Sequence, residues 1–285
     1  MGFTNTGQPM TESGMKAALA IMEMDPEADM ALLWSVLTVE SRGFGFLADR
    51  RPKILFERHI FYQETAGRFA AEAPDICARS GGGYSGGAVE YDRLGRALAL
   101  CRRDNLGDDP ALRSASWGLG QVMGFNAVGA GFSSPVDMIE RMAASEDAQL
   151  AGMAGFIASE KLDAKLRNRD WAGFARRYNG TNYWRNEYDM KLKSAFEKFS
   201  SGVMRDLCAR TAQGALLYLG FSPGDPDGVV GQNTRKAIAA FRKANNLGAG
   251  GELDEEVYNE IMEQAKFPRG DLAACHRAQE AGSVG

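Results

Sequence analysis

The sequence predicts a mainly α-helical protein that ends in a small helical module, and two observations support this fold class. Apolar residues recur with the helical period through most of the 285 residues, usually after a capping side chain, whereas only the run from Ile54 to Phe56 resembles a strand. The short, turn-forming sequence Ser200-Ser201-Gly202 then interrupts the helical pattern. We therefore expect a domain boundary at residue 202.

The helices are predicted from their start signals and their apolar spacing. Asp25 stands before Pro26, a residue that the first helical turn tolerates, and Met30, Leu33 and Leu37 then share one helical face. Gly43 is the expected stop of this helix. The same signals predict three further helices, starting at Ser134 before Pro135, at Ser145 before Glu146 and Asp147, and at Asp170, the last of which runs to Tyr178.

The composition disfavours several classes of function. The 33 basic and 37 acidic residues leave a formal net charge of -4, which argues against a nucleic-acid partner. Because His59 and His276 are the only histidines, zinc hydrolases and Ser-His-Asp catalysis are disfavoured, and no metal or cofactor is predicted. The four cysteines form no Cys-x-x-Cys pair and are expected to be buried thiols.

The sequence shows no signal for export or for membrane insertion. Its N-terminal residues lack a basic start followed by a long apolar run, and the longest apolar stretch, Met30 to Val39, is too short to span a bilayer. We therefore expect a soluble protein that is made in the cytoplasm and has no stable membrane insertion. A monomer is expected.

A glycine-rich segment between Pro74 and Ala88 contains the sequence ICARSGGGYSGGA. It is not followed by the Gly-Lys-Ser/Thr sequence of a phosphate-binding loop. We expect a mobile loop beside a cleft.

Glu40 is the first candidate for a catalytic group. It lies three positions after Leu37 and seven after Leu33, so helical spacing puts its carboxyl on the apolar face, near the negative end of the helix dipole. Burial and the dipole both disfavour the carboxylate ion and raise its pKa, as a general acid requires at neutral pH. Spacing alone equally allows Glu40 to bend outward and pair with Arg42.

Three motifs occur in order along the chain: VESRG at 39–43, SWGLGQVMG at 116–124 and RRYNG at 176–180. Their order resembles the lysozyme-like superfamily, in which a Glu-Ser at a helix end is followed by Ser-x-Gly-Leu-x-Gln and Tyr-Asn. The longer sequences ESRGFGFLADRRPKILFERHIF, SASWGLGQVMGFN and DWAGFARRYNG resemble the N-acetylmuramidase family found in phage endolysins. The resemblance covers about Val39 to Phe199 and implies a lysozyme-like catalytic domain.

The resemblance also implies roles for the matching residues. Glu40 corresponds to the acid that protonates the glycosidic oxygen between N-acetylmuramic acid and N-acetylglucosamine. Ser116 and Gln121 match the serine and glutamine that line the cleft, and Tyr178 and Asn179 match the pair that can hydrogen-bond a sugar N-acetyl group or the acid itself. Two neighbours in the second motif, Trp117 and Leu119, are expected in the core, although they could instead form a platform for a sugar ring.

A second carboxylate could act as a base or position water. Glu57 is the candidate, because a short strand could carry it back toward the cleft, and Asp49 is the reserve. Two carboxyls about 6.5 to 9.5 Å apart would predict inversion, and a separation of about 5 Å would predict retention. Glu57 could instead pair with Arg51 or Arg58 in a structural role, and His59 is expected to be a structural hydrogen-bonding residue.

The segment from Thr211 to Ile261 resembles the three-helix peptidoglycan-binding domain of wall hydrolases. The matching features include an Asp227-Gly228 turn, a threonine six residues later and an Ala-Ile-x-x-Phe helix. Arg242 departs from the family pattern, in which glutamine often follows the phenylalanine, and this puts some polar contacts of the binding groove in question. The predicted core residues of the bundle are Ile238, Phe241, Leu247, Leu253, Val257 and Ile261.

These features predict a lysozyme-like N-acetylmuramidase domain at 1–202, a peptidoglycan-binding domain at 203–266 and a tail at 267–285 that is ordered poorly or only by docking. The expected function is that of an endolysin-like peptidoglycan hydrolase, which causes cell lysis after release to the periplasm or wall. Deleting the C-terminal module is expected to weaken wall association without changing the cleavage chemistry.

Two alternatives stay open at this level. A lytic transglycosylase would use the same Glu40 to form 1,6-anhydro products without water. A non-catalytic wall-binding protein of a phage particle would keep only the sugar-recognising cleft.

Overall fold

The computed structural model describes residues 6–40, 43–202, 205–270 and 272. The described residues are mainly α-helical, as predicted, with three short strands. In chain order the elements are α1 (Glu12–Ile21), α2 (Met30–Glu40), β1 (Ile54–Phe56), α3 (Arg58–Glu64), α4 (Val89–Arg103), α5 (Asp109–Arg113), β2 (Ala115–Trp117), β3 (Val122–Met123), α6 (Pro135–Ala144), α7 (Glu146–Ser159), α8 (Asp163–Arg167), α9 (Trp171–Tyr178), α10 (Tyr188–Ser200), α11 (Leu207–Tyr218), α12 (Gln232–Asn245) and α13 (Glu255–Ala265).

The described chain divides into two compact units. The first unit contains residues 6–7 and Gly45–Glu160. The second unit contains Gln8–Phe44 and the described residues from Lys161 onward. The helices on either side of residue 202, α10 and α11, therefore belong to the same unit.

The first unit contains a small antiparallel sheet in the order β1-β2-β3. Ser116 in β2 lies opposite Leu55 on one side and Met123 on the other. Only β1 was predicted from the sequence, because its three residues form an apolar run, whereas β2 contains the polar Ser116 and a glycine-containing turn separates it from the two residues of β3. Such short strands carry no readable alternation of polar and apolar residues.

Three of the predicted helix starts are confirmed, because Ser134, Ser145 and Asp170 each accept a hydrogen bond from the backbone three residues later. The predicted start at Asp25 is wrong, since α2 begins at Met30. The Asp25 carboxylate instead accepts the backbone N–H groups of residues 27 and 28, both at 2.8 Å, and caps a turn. Local capping of this turn displaced the helix start.

Helix α2 is buried more completely than a single apolar stripe requires. Six consecutive residues, 32 to 37, are buried, so the helix is covered on nearly all sides. It packs against α1 and α10, and the Trp34 ring lies 6.4 Å from the Phe199 ring. Gly43 has a φ of +90°, as a helix stop allows, while residues 41–42 lie outside the described chain.

The C-terminal helices α11, α12 and α13 form the predicted three-helix bundle around one apolar core. The turn at Gly228 requires glycine, because its φ is +76° and a Cβ there would lie 2.7 Å from the Asp206 carbonyl oxygen. Two residues of the predicted tail, Phe267 and Leu272, are buried in the same core. All six predicted core residues belong to the cluster, with Leu247 partly buried and the others buried.

Arg242 departs from the family pattern and has a structural role. Only 6% of its surface is exposed, and its guanidinium donates to the carbonyl oxygens of Leu247 and Glu252, at 2.8 and 3.4 Å. It also forms an ion pair with Asp254. Arg242 therefore stabilises the loop between α12 and α13 from inside the bundle.

The cysteines follow the prediction only in part. Cys77 and Cys101 are buried free thiols, and burial raises the pKa of Cys101 to about 11. Cys208 is disulfide-bonded, so the expectation of a free thiol is wrong at this position. Cys275 lies outside the described residues.

Candidate active site

Glu40 is the last residue of α2 and is partly buried as a whole, while its carboxyl oxygen Oε1 is shielded from water. Oε2 accepts a hydrogen bond of 2.7 Å from Nδ2 of Asn179. Oε1 is buried and has no hydrogen-bond partner among the described residues. Burial raises the pKa of Glu40 to about 7, although the hydrogen bond from Asn179 opposes this shift.

The sequence-based argument for Glu40 thus identified the correct direction of the pKa shift. The structure attributes that shift to burial. The alternative partner, Arg42, lies outside the described residues. A carboxyl with a pKa of about 7 can hold a proton near neutral pH and release it to a substrate oxygen.

Helix α9 places Tyr178 and Asn179 beside Glu40. Asp170 caps the start of α9, and Asn179 follows its last residue, so the predicted Tyr-Asn pair lies at the end of the helix. The Tyr178 ring stacks on Phe174 with 5.2 Å between centroids. Burial and the charge of Glu40 raise the pKa of Tyr178 well above its ordinary value, so the phenol remains a proton donor.

The side-chain amide of Asn179 is satisfied at only one end. Its nitrogen donates to Glu40, while its oxygen Oδ1 is buried and lacks a hydrogen-bond partner within the described chain. Buried polar atoms without partners are uncommon in folded proteins and are concentrated where a ligand or water completes them. Two such acceptors, Oε1 of Glu40 and Oδ1 of Asn179, belong to one hydrogen-bonded pair of side chains.

Ser116 and Gln121 are joined in the β2–β3 hairpin of the first unit. The Ser116 hydroxyl lies 2.8 Å from Oε1 of Gln121, and Nε2 of Gln121 donates to the Gly118 carbonyl oxygen at 2.8 Å. Gln121 itself is exposed and has a φ of +48°. The two side chains that the motif singles out therefore hold the hairpin turn in shape.

The hairpin packs on α7 through Gln149, a residue that was not identified from the sequence. Oε1 of Gln149 accepts the Leu119 N–H at 2.8 Å, and Nε2 of Gln149 donates to the Met142 carbonyl oxygen at 2.9 Å. A Cβ on Gly118 would lie 2.7 Å from the Gln149 side chain. Trp117 and Leu119 are fully buried, which confirms them as core residues.

Glu57 follows β1 directly and faces the glycine-rich segment. Its Oε2 accepts a hydrogen bond of 2.8 Å from the Tyr84 hydroxyl and lies 3.1 Å from Nδ1 of His59, without the geometry of a hydrogen bond. The Glu57 side chain is 16% exposed. The predicted structural pairing with Arg51 or Arg58 is wrong, because Arg51 binds Asp49 and Arg58 binds carbonyl oxygens of the glycine-rich segment.

Tyr84 was not identified from the sequence as the partner of Glu57. The signal that could have indicated it is that Tyr84 is the one aromatic residue within the glycine run. Tyr84 is 49% exposed. Burial, followed by its hydrogen bond to Glu57, raises the pKa of Tyr84. The reserve candidate Asp49 is half-exposed beside Arg51. Burial alone would raise the pKa of Asp49, but the hydrogen bonds from Arg51 outweigh it and lower the pKa.

The glycine-rich segment is tied to β1 by a buried ion pair. Oε1 of Glu90 accepts the N–H groups of Ser85 and Gly86 at 2.7 and 2.9 Å. Oε2 accepts the Phe56 N–H at 3.0 Å and pairs with Arg93 at 2.9 Å. Glu90 thereby fixes one end of the glycine-rich segment next to Glu57. The glycine content of the segment gave no indication of this anchor.

The sequence-predicted residues thus form two groups. Glu40, Tyr178 and Asn179 come together in the second unit. Ser116 with Gln121, and Glu57 with Tyr84, lie in the first. Over the described ranges, no helix is long and apolar enough to cross a membrane, and no three His, Cys, Asp or Glu side chains are grouped as metal ligands.

Comparison with known proteins gives matches for both parts of the chain. The N-acetylmuramidase family matches residues 29–200, and the peptidoglycan binding domain family matches residues 209–261. The crystal structure of Burkholderia AP3 phage endolysin is similar, with 36% sequence identity over 69% of this chain and 73% of that chain and a TM-score of 0.61. None of the curated proteins matches the chain. This chain therefore belongs to the N-acetylmuramidase family of glycoside hydrolases and carries a C-terminal peptidoglycan-binding domain.

Proposed function

We propose that the protein cleaves the β-1,4 bond between N-acetylmuramic acid and N-acetylglucosamine with Glu40 as the general acid. The observation that carries this assignment is the buried carboxyl whose pKa is raised to about 7 and whose Oε1 has no hydrogen-bond partner among the described residues. Near neutral pH, about half of the molecules then hold the proton that the leaving oxygen needs.

Tyr178 and Asn179 support the acid in this proposal. Asn179 fixes one carboxyl oxygen of Glu40 by its 2.7 Å hydrogen bond, which leaves the other oxygen to carry the proton. The Asn179 carbonyl, which has no hydrogen-bond partner among the described residues, offers an acceptor to the N-acetyl group of a bound sugar, and the protonated phenol of Tyr178 lies next to it in the chain as the second group proposed to bind that sugar.

Ser116 and Gln121 are proposed to line the sugar cleft. The Ser116 hydroxyl donates to Oε1 of Gln121, and Nε2 of Gln121 donates to the carbonyl oxygens of Gly118 and Lys53, at 2.8 and 3.4 Å. These bonds hold the exposed Gln121 in one orientation, in which the second lone pair of Oε1 can accept a hydrogen bond from a sugar hydroxyl. In this arrangement Ser116 acts by positioning Gln121.

Glu57 is proposed as the second carboxylate, which positions or deprotonates the attacking water. The Tyr84 hydroxyl holds it by a 2.8 Å hydrogen bond, and its side chain is partly open to solvent. The stereochemical outcome then depends on the separation of the two carboxyls in the complex with substrate.

The domain division is proposed as 1–202 for catalysis, 203–266 for wall binding and 267–285 as the tail. The family matches, which end at residue 200 and begin again at residue 209, support it. Wall binding raises the local concentration of a polymeric substrate at the cleft. The similarity to a phage endolysin supports a phage-type setting, with cytoplasmic synthesis of a monomer that reaches peptidoglycan after the membrane is permeabilised.

Mass spectrometry of digested peptidoglycan tests this function. The wild-type protein should produce glycan fragments with hydrated reducing ends on muramic acid, and Glu40→Gln should lower their rate of formation by about 10²- to 10⁴-fold. Glu72→Gln is the matched control, because Glu72 is an exposed partner of Arg103 on the surface. Anhydro ends would indicate transglycosylation instead, and cut peptides would contradict glycan cleavage altogether.

A further inference from the structure

We propose that the peptidoglycan-binding module is also a structural part of the catalytic site, with Arg210 as a positioning residue for the chain segment that carries Glu40. This inference rests on the proposed role of Glu40 as the acid. It gives α11 a second task besides wall binding.

The first contact is between Arg210 and the backbone just after Glu40. Nη2 of Arg210 donates to the Gly43 carbonyl oxygen at 2.5 Å, and only 2% of Arg210 is exposed. Gly43 itself fits closely against the module, since a Cβ there would lie 3.2 Å from both Asp225 and the Pro226 carbonyl oxygen. Gly43, three positions after the last residue of α2, therefore lies against the module.

The second contact is the neighbouring side chain, Phe44. It is 1% exposed, and its ring lies 5.6 Å from both the Tyr218 ring and the Arg210 guanidinium. A Cβ on Gly214 of α11 would lie only 2.8 Å from the Phe44 ring. The absence of a side chain at Gly214 thus creates the space that Phe44 occupies.

Beside these contacts, the interface between α2 and the module contains an open space. A cavity of about 200 Å³ lies between residues of α2, including Leu37 and Thr38, and the module residues Arg205 and Asp227. Because the interface contains this space, the hydrogen bond from Arg210 and the packing of the Phe44 ring contribute directly to the position of Gly43.

The position of Gly43 affects Glu40 because three peptide bonds join them. The burial of the Glu40 carboxyl and its 2.7 Å bond to Asn179 both require the end of α2 to stay where it is. A released segment would admit water to the carboxyl, so that fewer molecules hold the proton at neutral pH. The effect falls on the rate of the chemical step, whereas weaker wall binding falls on KM.

The test uses full-length variants and steady-state kinetics on soluble glycan fragments. Arg210→Ala should lower kcat about tenfold and move the basic limb of the kcat–pH profile to lower pH. Arg210→Lys should have a smaller effect than Arg210→Ala on kcat and on the pH profile, because the lysine ammonium can still donate to the Gly43 carbonyl oxygen. Gly214→Ala should change kcat in the same direction by displacing Phe44, and it decides the question if Arg210→Ala does not fold.

Two control variants separate this effect from general damage. Arg235→Ala removes a positive charge from the same module at an exposed pair with Glu252. Gly95→Ala adds a methyl group in α4 that, apart from the adjoining backbone of that helix, would have no described atom within 4 Å. Both should retain wild-type kcat and pH profile. Wild-type values for Arg210→Ala and Gly214→Ala would overturn the proposal.

Glu40→Gln, measured in parallel, distinguishes the two possible failures. If this variant remains active, the assignment of the acid is wrong. If it is inactive while the Arg210 and Gly214 variants match the wild type, the acid is correct and the positioning role is wrong.

Discussion

Replacing Glu40 by glutamine should stabilise the protein at alkaline pH while it removes activity. The folded-state pKa of Glu40 is raised to about 7 from an ordinary value of 4.5, so the folded chain holds this proton more tightly than the unfolded chain does. The resulting stabilisation is fully present below about pH 4.5 and is lost as the pH rises through 7. Glutamine stays neutral at every pH and can still accept the hydrogen bond from Asn179.

The magnitude follows from the size of the shift. A rise from 4.5 to about 7 corresponds to about 3 kcal/mol, at 1.36 kcal/mol for each pKa unit. The free energy of unfolding of Glu40→Gln should therefore match the wild type near pH 4 and exceed it by up to about 3 kcal/mol at pH 8. Urea unfolding followed by circular dichroism at a series of pH values measures this difference.

Glu72→Gln is again the control, with the opposite sign. The hydrogen bond from Arg103 lowers the pKa of Glu72, so neutralising this side chain should not stabilise the protein at high pH. Two results would refute this reasoning. The free energy of unfolding of Glu40→Gln could be no higher than that of the wild type at pH 8, or it could exceed the wild-type value by the same amount at pH 4 and at pH 8.

Three further changes have defined outcomes. Asn179→Ala should move the basic limb of the kcat–pH profile to higher pH, because it removes the hydrogen bond that lowers the pKa of Glu40; a limb at lower pH would contradict this reasoning. Gly118→Ala should lower the free energy of unfolding by about 1 to 3 kcal/mol, because φ is +69° and the methyl group would meet Gln149. Urea unfolding measures this change, and an unchanged midpoint would show that the hairpin accommodates the methyl group. Deletion of 203–285 should weaken wall association in a pull-down assay and also lower kcat on soluble glycan fragments, which revises the expectation from the sequence; unchanged kcat would restore that expectation.

The helices were predictable where capping side chains and apolar spacing agreed. The N-caps at Ser134 and Ser145 depend on a hydroxyl that accepts a backbone N–H within the same few residues. Such local interactions can be read from a single sequence. Asp25 offered the same signal, but its carboxylate caps a turn, and the helix begins five residues later at Met30.

The candidate site was predictable to the extent that its residues belong to motifs. The Tyr178-Asn179 pair was expected to reach a sugar or the acid, and Asn179 does bond Glu40 across 139 positions of sequence. The residues that hold the motif residues were not predicted. Glu90, Gln149 and Tyr84 act through contacts with segments distant in sequence, and no local pattern distinguishes them from other polar residues.

The sequence by itself determined the helical class, the family motifs, the C-terminal module and the direction in which burial shifts the pKa of Glu40. Each of these depends on residue type and short-range spacing. Only the tertiary structure decided that Asn179 is the partner of the acid, that Glu57 is held by Tyr84, and that Arg210 reaches the backbone beside Glu40. These contacts join distant segments, and packing of the whole chain sets their geometry.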